Sequence, residues 1–593
     1  MNPQKTTRRP ARPRRNIRTA GAQALPRKIA PLPKTPPRKD TEPTVRVTPL
    51  GGLEEIGRNM CYFEYGDEII ILDAGIQFPE EETPGIDFII PNVQSLEAKK
   101  DKIKGLILSH AHFDHIGAIP YIIEKIGNPI IYTTNLTRGI VEKRQADFPN
   151  APKLKFHNVK RGDKVKISPN FEAEFFNVDH TVPDTVGIIL RTPVGNLVHY
   201  ADFRIDSDEK GNFIDISDFE RIGKMGVHTL FIDSTNADEE GYSVSEKIVE
   251  KNLEKLFREA EGRIILSTFS SMISRLDEII QIAQRLGRKV AIAGRSMKEN
   301  IQISQDMGYM KVTKGTMINL EEIRNYKDHQ ILILATGAQG QENAALMRIV
   351  NGEHRQVRIK PGDSIIFSSS VIPGNERSVQ NVKDSLARQG AIVHQSKHID
   401  IHASGHAPAD ELRMVMEMTR PRFLVPVHGH YFKRAANCQT GQSAGIPKEN
   451  TILMDNGQVA ELTQNSFTIT NERVPAYYVM VDGLGVGDVE EVVLRDRRVL
   501  AQEGMVVIIA TLSRSSGRIL KNPDIISRGF IYLKEQKELL DEVRKKIRNI
   551  ISRIPRQHLD GDYVKTLVRD QIGQFLYSKT KRRPMILPVV IEI

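Results

Sequence analysis

One run of six residues limits what this chain can fold into more than any other feature. The run is His110, Ala111, His112, Phe113, Asp114 and His115, and it follows the apolar stretch 106–108. A short apolar stretch that ends in polar residues is typical of a buried strand. Four imidazole and carboxylate side chains on the turn that leaves such a strand can converge on a space two cations wide. The run therefore predicts a metal site at a strand end.

Further His and Asp residues stand where other strand-like stretches end. They are Asp73 after 68–72, His180 after 175–179, Asp202 after 197–201 and His428 after 423–427. Each alone is weak evidence, because a single His or Asp at a strand end is usually a cap or a satisfied polar group. Together with the six-residue run they supply enough ligands for two coordination shells.

The composition restricts the remaining classes of protein. With 593 residues and 39% apolar content, the chain is long enough for several domains. It has only two cysteines, Cys61 and Cys438, so neither a disulfide framework nor a zinc site of paired cysteines is expected. No apolar run is long enough to span a bilayer, and no secretory signal is present at the N-terminus. We therefore expect a cytoplasmic protein without a membrane segment.

The N-terminal segment 1–44 differs from the rest of the chain. Residues 1–45 contain twelve Lys or Arg, two acidic residues and nine of the 31 prolines, so this segment carries the whole formal net charge of +10. It contains no aromatic residue and is predicted to be disordered. Such a basic segment suits sequence-independent contact with phosphates, although a solvated solubility tail explains the pattern equally well.

The order of helix-like and strand-like stretches predicts the domain organisation. Between about 244 and 393, helical patterns alternate with apolar strands in the manner of βαβ units, which predicts a parallel sheet inserted before His402. A polar junction near 465–472 is expected to lead to a C-terminal α+β module. That module is expected to have strands at 492–494 and 506–509 and a charged helix at about 536–553.

Taken together, these motifs resemble a known superfamily. The run from His110 to His115 with Asp73, His180 and Asp202 resembles the metallo-β-lactamase pattern. Three further motifs, around Asp233, His406 and His428, resemble those of the β-CASP nucleases, and within that group the chain is similar to the bacterial ribonuclease J family. The likeness runs from Val45 to the end, and it includes 527–530 and 582–588 near the C-terminus.

The resemblance implies an α/β fold, namely a metallo-β-lactamase αββα sandwich with an inserted β-CASP domain and a C-terminal α+β domain. The expected limits are a basic tail at 1–44, the first part of the metallo-β-lactamase domain at 45–235, the β-CASP domain at 236–397, the second part at 398–465, a linker at 466–491 and the C-terminal domain at 492–593.

The resemblance also implies a two-metal ribonuclease. One metal would be bound by His110, His112 and His180, the other by Asp114, His115 and His428, with Asp202 as a bridge. Imidazole and carboxylate ligands suit zinc best and manganese as an alternative. Asp73 is expected to orient a ligand, His406 to protonate the leaving group or stabilise its charge, and Asp233 to orient His406.

Substrate and partners follow from the same likeness. It implies RNA as substrate, 5′-to-3′ exonuclease and endonuclease action in RNA processing and decay, and a preference for a 5′-monophosphate end. The candidates for contact with RNA are His402, Ser404, Ser368 and Ser370 at the 5′-phosphate and Phe269 as a stacking residue. Serines at a turn and a core phenylalanine are the alternatives. A homodimer or homotetramer and partners in RNA decay or on the ribosome are also implied.

Two segments depart from the family pattern. His430 stands where the family usually has a glutamate, and Ser270, Ser271 and Met272 replace a segment that often carries an asparagine. Neither segment supplies an expected metal ligand, so both bear on how substrate is positioned.

Three alternative functions make different predictions. A small-molecule hydrolase of the same fold would not need the inserted motifs around Asp233, His406 and His428. A flavodiiron-type redox enzyme would typically have a glutamate in place of His112. A catalytically inactive RNA-binding relative would lack ligands, whereas all the expected ligands are present here.

Overall fold

Apolar runs separated by Gly and Asp form the first twelve strands of the chain, as seen in a computed structural model. They are β1 (Val45–Gly51), β2 (Met60–Tyr65), β3 (Glu68–Leu72), β4 (Phe88–Ile90), β5 (Ile103–Ile107), β6 (Ile130–Thr133), β7 (Lys155–Asn158), β8 (Lys164–Ser168), β9 (Phe171–Asn177), β10 (Val186–Thr192), β11 (Gly195–His199) and β12 (Thr229–Asp233). The helices among them are α1 (Gln94–Glu97), α2 (Phe113–Ile116), α3 (Ile119–Ile122), α4 (Asn135–Gln145) and α5 (Ser217–Met225).

The structure describes residues 42–593 except 80–82, 342, 373, 484, 488–490, 514–515, 517, 531–536 and 556–560. The basic segment 1–44, for which disorder is predicted, lies outside the described residues apart from its last three positions. None of the helices described in the remaining chain is both long enough and apolar enough to cross a bilayer.

The middle of the chain alternates strands and helices. Its strands are β13 (Ile264–Ser267), β14 (Lys289–Ala293), β15 (Met317–Ile318), β16 (Ile331–Ala335), β17 (Ser364–Phe367) and β18 (Ile392–Gln395). Its helices are α6 (Glu246–Glu259), α7 (Ile273–Arg285), α8 (Arg295–Asp306), α9 (Ala345–Val350) and α10 (Glu376–Arg388). The six strands pair in parallel in the order β15-β14-β16-β13-β17-β18, as the alternation of patterns predicts.

The chain then returns to the first sheets before it forms its C-terminal part. The returning elements are α11 (Ala409–Thr419), β19 (Phe423–Val427), α12 (Tyr431–Ser443), β20 (Gln458–Leu462) and β21 (Phe467–Arg473). The last elements are β22 (Val479–Asp482), β23 (Gly485–Val486), α13 (Glu491–Glu503), β24 (Met505–Leu512), β25 (Asp524–Arg528), α14 (Lys537–Ser552), α15 (Gly561–Thr580) and β26 (Met585–Glu592).

Two sheets lie face to face and form the centre of the fold. The first has the order β21-β20-β1-β2-β3-β5-β6-β7, and the second has the order β19-β12-β11-β10-β9-β8. Their inner faces share one apolar cluster, in which the rings of Phe63 and Phe231 meet edge to face with centroids 5.7 Å apart. Helices cover the outer faces, α3 and α4 on the first sheet and α5 and α11 on the second. This is the expected αββα sandwich.

Strand ends bring the predicted ligands to one edge of the sandwich. β3 and β5 run parallel in the first sheet, and β12 and β19 run parallel in the second. Asp73 follows β3 and the His110 run follows β5, while Asp233 ends β12 and His428 follows β19. Parallel strands end at the same edge of their sheet, so side chains that are distant in sequence meet there.

Two predictions about the C-terminal third are wrong. Residues 492–494, expected as a strand, belong to α13, where Leu494 is buried and Val492 is exposed. A three-residue apolar run does not distinguish a helix from a strand by its period. The expected linker 466–491 contains β21, which pairs with β20, and β22, which pairs with β4. The other expected domain limits stay predictions.

Gly75 allows the turn after β3 to approach the turn after β5. A Cβ atom built on Gly75 would lie 1.5 Å from the carbonyl oxygen of Asp114 and 2.8 Å from the amide of His115. The two turns are also joined by backbone hydrogen bonds from Ala74 to His115 (2.7 Å) and from Ile76 to Phe113 (2.9 Å). Only glycine permits this contact without displacement of the Asp114 backbone.

We expect Gly75→Ala to lower the thermal stability of the chain, because the added methyl must push the two turns apart. Overpacking of this kind costs about 1 to 3 kcal/mol or more. The matched control is Gly573→Ala in α15, where the new Cβ would meet Ile586 at 3.9 Å, an ordinary contact. Calorimetry of both variants checks the expectation. Equal unfolding temperatures would contradict it.

Candidate metal centre

Three histidines surround one point at the edge of the sandwich. The ring centroids of His110, His112 and His180 are 4.9 Å apart in every pair, and every pair of ring planes meets at 75°. Burial lowers the pKa of all three imidazoles, so each is neutral and keeps a lone pair. Three neutral imidazoles that face one point are a typical ligand set for a divalent cation.

Neighbouring groups fix the orientation of these rings. The Nδ1 atom of His180 lies 2.7 Å from the carbonyl oxygen of Gly405 and can only donate to it. The Nε2 atom of His180 is then the one with the lone pair, and it lies 3.1 Å from Nδ1 of His112. The Nδ1 atom of His110 lies 3.0 Å from the hydroxyl of Ser109, and its buried Nε2 has no hydrogen-bond partner.

A second set combines Asp114, His115 and His428. The carboxylate of Asp114 lies 3.3 Å from Nε2 of His428 and 3.7 Å from Nε2 of His115. Burial alone would lower the pKa of both imidazoles, but nearby carboxylates outweigh it. Asp202 and Asp73 raise the pKa of His115 to about 10, and Asp202 and Asp114 raise that of His428 well above its usual range. The field at this point therefore favours positive charge.

Asp202 lies between the two sets. One of its oxygens is 3.3 Å from Nε2 of His115 and 3.1 Å from Nδ1 of His428, and the other is 3.7 Å from Nε2 of His110. In each set, together with Asp202, the ligand atoms all lie within 4.8 Å of one another. Burial opposes ionisation of Asp202, but the charges of His428 and His115 hold its pKa well below the usual range.

The unpaired polar atoms at this point fit a pair of cations. Both oxygens of Asp202, Nε2 of His110 and Nε2 of His428 are buried and make no hydrogen bond. A buried polar atom without a partner is costly, and a coordinated cation removes that cost. The donor set is made of imidazole nitrogens and carboxylate oxygens, which suits zinc and related divalent ions.

Asp73 lies beside the ligands and contacts one of them, His115, and the neighbouring Ser109. Its carboxylate accepts hydrogen bonds from the amide of Ser109 (2.8 Å), the hydroxyl of Ser109 (2.9 Å) and Nδ1 of His115 (2.8 Å). These contacts leave Nε2 of His115 to face Asp202. Asp73 thus contacts a proposed ligand without belonging to either ligand set.

His406 and Asp233 form a pair at the opening of the site. The Nδ1 atom of His406 lies 2.7 Å from the carboxylate of Asp233. The His406 ring is 5.4 Å from that of His180 and 5.5 Å from that of His428, and 21% of its side chain is exposed. Burial opposes its protonation, but Asp233 and Asp202 raise the pKa of His406. Asp202, Asp233, His406 and His428 also make a third possible ligand group.

The residues proposed for RNA contact have different surroundings. Ser404 accepts a hydrogen bond from Asn236 (2.9 Å), and Ser368 donates to the carbonyl of Ile401 (2.7 Å). Burial and then the charges of Arg275 and Arg204 lower the pKa of His402 to about 3. Ser370 is exposed, and Phe269, at the end of β13, is half-buried.

Sequence reasoning missed several residues that hold the ligands. Asn59 places its amide nitrogen 3.1 Å from the carbonyl of Asp114 and 3.0 Å from Nε2 of His115. Thr235 bonds Asp233 (2.7 Å) and lies 3.1 Å from Nδ1 of His428. Ser109 adjoins His110 and Thr235 lies two positions after Asp233, and this proximity to predicted residues was a usable signal. Asn59 is remote in sequence and gave none.

Models of known protein families match four successive parts of the chain. Family models match at residues 55–225 (Metallo-beta-lactamase superfamily), 261–386 (Ribonuclease J, beta-CASP domain), 395–447 (Zn-dependent metallo-hydrolase RNA specificity domain) and 492–593 (Ribonuclease J C-terminal domain). These matches carry the expected fold class in the expected order.

Curated relatives cover nearly the whole chain. Ribonuclease J 1 of Streptococcus pyogenes is 38% identical over 549 residues, which is 92% of this chain and 97% of the relative. Ribonuclease J 2 of Staphylococcus saprophyticus is 35% identical over 558 residues, covering 94% and 99%. A crystal structure of a protein of unknown function from Enterococcus faecalis V583 superimposes with a TM-score of 0.51 at 16% identity, covering 72% of this chain and 100% of that one. That likeness concerns the fold alone.

We expect Asp202→Asn to weaken binding of divalent metal at least about tenfold, because both ligand sets lose the negative charge of the carboxylate between them. Metal content after dialysis, measured by mass spectrometry, checks this. The control is Asp215→Asn, an exposed carboxylate that pairs with Arg161. Full metal content in Asp202→Asn would remove Asp202 from the metal centre.

Proposed function

Because this chain belongs to the ribonuclease J family of metal-dependent ribonucleases, we propose that it cuts RNA phosphodiester bonds with two divalent cations. The observation that carries the proposal is Asp202, whose two buried and unpaired oxygens face the two ligand sets. A carboxylate between two sets is the arrangement that a pair of bridged cations needs. We propose both 5′-to-3′ exonuclease and endonuclease action, in RNA processing and decay.

The proposed ligands follow the two sets. One cation is held by His110, His112 and His180 and the other by Asp114, His115 and His428, with Asp202 shared between them. Five imidazoles among seven ligands favour zinc, and manganese is the alternative. When bound, such cations lower the pKa of water and neutralise charge on a phosphate.

The protein's own residues position the reaction. We propose that Asp73 keeps Nε2 of His115 directed at the metal centre through its 2.8 Å contact with Nδ1. The 2.7 Å contact with Asp233 similarly occupies Nδ1 of His406 and leaves Nε2 free. A protonated His406 can then give its Nε2 proton to the 3′ oxygen that leaves phosphorus, or stabilise the charge on it.

A 5′-phosphate pocket is proposed at His402, Ser404, Ser368 and Ser370, with Phe269 as a stacking residue. This pocket is supported by the position of its residues beside the first ligand set. Gly405, next to Ser404, accepts from His180, and Ser368 bonds the residue before His402. Arg275, which pairs with Glu246 and Glu278, also donates to Ser368 (3.4 Å) behind the proposed pocket.

A homodimer or homotetramer is proposed through the C-terminal sheet. One face of this sheet packs on α14 and α15. The other face exposes Leu587 (40%), Val589 (42%) and Ile591 (44%) of β26, together with Ile526 (41%) of β25. A row of exposed aliphatic side chains on one sheet face is typical of a protein interface.

The remaining proposals rest on sequence and family. They are a cytoplasmic location, partners in RNA decay or on the ribosome, and contact of the basic segment 1–44 with RNA phosphates. The charge of that segment supports the last of them, since the rest of the chain has no net formal charge.

Digestion of a 5′-labelled single-stranded RNA tests the proposed activity. We expect hydrolysis that a chelator abolishes and that added zinc or manganese restores. Release of labelled mononucleotide indicates 5′ exonuclease action, and labelled 5′ fragments of intermediate length indicate endonuclease action. RNAs with a 5′-monophosphate and with a 5′-hydroxyl separate the end preference from cleavage itself. Failure to cut either RNA in the presence of metal would refute the function.

We expect His406→Ala to slow RNA cleavage roughly 10²- to 10⁴-fold at unchanged metal content, because the proton donor is lost while the proposed ligands remain. Single-turnover rates and metal analysis check this together. The control is His329→Ala, an exposed histidine in a 3₁₀ turn. Loss of metal in His406→Ala would make His406 a ligand instead.

We expect Val589→Lys to give a monomer, because a charge in the centre of the apolar face opposes its burial between two chains. Light scattering at several concentrations checks this. The control is Ile214→Lys, which alters an exposed aliphatic residue outside the C-terminal sheet. An unchanged chain that is already monomeric, or a variant that still associates, would contradict the proposed interface.

A further inference from the structure

An exposed aromatic surface borders the metal centre, and neither the proposed ligands nor the proposed pocket uses it. Its side chains are Ile56 (37% exposed), Tyr431 (56%), Phe432 (59%), Tyr477 (53%) and Tyr478 (41%), which we call the aromatic rim. Large aromatic side chains are costly to leave in water, so a group of them beside a site is a candidate binding surface.

The loop 52–59 ties this rim to the second ligand set. At one end the amide of His428 donates to the carbonyl of Gly52 (2.8 Å). At the other end Asn59 contacts Asp114 (3.1 Å) and His115 (3.0 Å). Both ends of the loop are therefore joined to residues that would hold the proposed second metal.

The aromatic side chains stand on both flanks of that loop. On one flank Nδ1 of His430 lies 3.2 Å from the carbonyl of Glu54, and Tyr431 and Phe432 follow in the first turn of α12. On the other flank Arg58 donates to the carbonyl of Ala476 (3.1 Å) and lies 4.7 Å from the ring centroid of Tyr478. The loop tip, Ile56, is exposed between them.

The carboxylates beside the rim are paired, which limits their repulsion of an anionic strand. Both carboxylates of the loop face arginine, since Glu55 bonds Arg58 (2.8 Å) and Glu54 lies 3.9 Å from Arg434. Lys433 places its ammonium 5.8 Å from the ring centroid of Phe432, although it also pairs with Asp238 (2.8 Å). His430 stands where the family usually has a glutamate, so one negative charge is absent from this rim.

The positions of the rim and the proposed pocket indicate in which direction a bound RNA strand would run. The pocket residues join the first ligand set, because Gly405 accepts from Nδ1 of His180 (2.7 Å). The rim joins the second set through Gly52 and Asn59. A strand whose 5′ nucleotide occupies the pocket and whose scissile phosphate lies at the metals leaves toward the rim.

We propose that the aromatic rim stacks unpaired bases of single-stranded RNA on the 3′ side of the scissile phosphate. The proposal rests on the proposed ribonuclease function and adds a binding surface to it. Each base offers a flat π-face, so aromatic side chains can hold a strand without reading its sequence. Because Glu54 and Glu55 are each paired with an arginine, they repel the phosphates between those bases less than free carboxylates would.

The test compares full-length, metal-loaded variants on a single-stranded RNA of about 20 nucleotides. We expect the double change Tyr431→Ala and Phe432→Ala to raise KM roughly 5- to 100-fold at nearly unchanged kcat. Tyr431→Phe with Phe432→Tyr should retain the original KM. Hydrolysis of bis(p-nitrophenyl) phosphate, which has no bases, should stay unchanged. The control is Tyr563→Ala in α15, an exposed tyrosine outside the rim (48%).

A second substrate locates the contact. An RNA with abasic residues just 3′ of the cleavage site should raise KM for the unchanged chain and cause little further loss in the double variant, because both changes remove the same stacking. An unchanged KM in the double variant, with RNA cleavage intact, would overturn the proposal that the rim binds RNA. An altered oligomeric state in that variant would make the rim a protein interface and also overturn it. Absence of RNA cleavage by the unchanged chain would instead refute the proposed function.

Discussion

The burial of Asp202 is the constraint on which the rest of the site depends. A carboxylate with 1% exposure and no hydrogen bond is expensive in a protein interior unless positive charge lies beside it. The nearest partners of Asp202 come from opposite sheets, namely Nε2 of His115 at 3.3 Å and Nδ1 of His428 at 3.1 Å, and a cation that these side chains share would supply that charge. The two sheets must therefore hold a common edge in register, and the apolar contact of Phe63 with Phe231 fixes their spacing.

The position of the inserted domain also affects the ligands. Its parallel sheet ends near the site, where Thr268 at the end of β13 donates to the carbonyl of Ser368 after β17 (2.7 Å). The first turn of α7 reaches back to the sandwich through the amide of Ser274, which donates to the carbonyl of Thr181 (3.3 Å). Thr181 follows His180, so a shift of the inserted domain would also move a proposed ligand.

Much of the site was predictable because its chemistry is local in sequence. The run from His110 to His115 announces a strand end with four ligand-type side chains, and Asp202 and His428 repeat the pattern of a polar residue after an apolar strand. The residues that hold these ligands in place were not predictable from the sequence. Asn59 reaches Asp114 across 55 positions, and Gly75 matters only because the turn after β5 lies against it. The helix over 491–503 and the strands within 466–491 were missed because a short apolar run has no decisive period.

The two ligand sets also differ in the side chains that surround them. The first set, anchored by Gly405, adjoins the segment 402–406, where polar side chains and the His406 pair converge. The second set, anchored by Gly52 and Asn59, adjoins a loop whose flanks are aromatic. Polar groups that fix one phosphate need exact placement, whereas stacking on aromatic rings tolerates any base. The two sides of the site therefore offer different contacts, and these are the contacts that the proposed end preference and the proposed base stacking require.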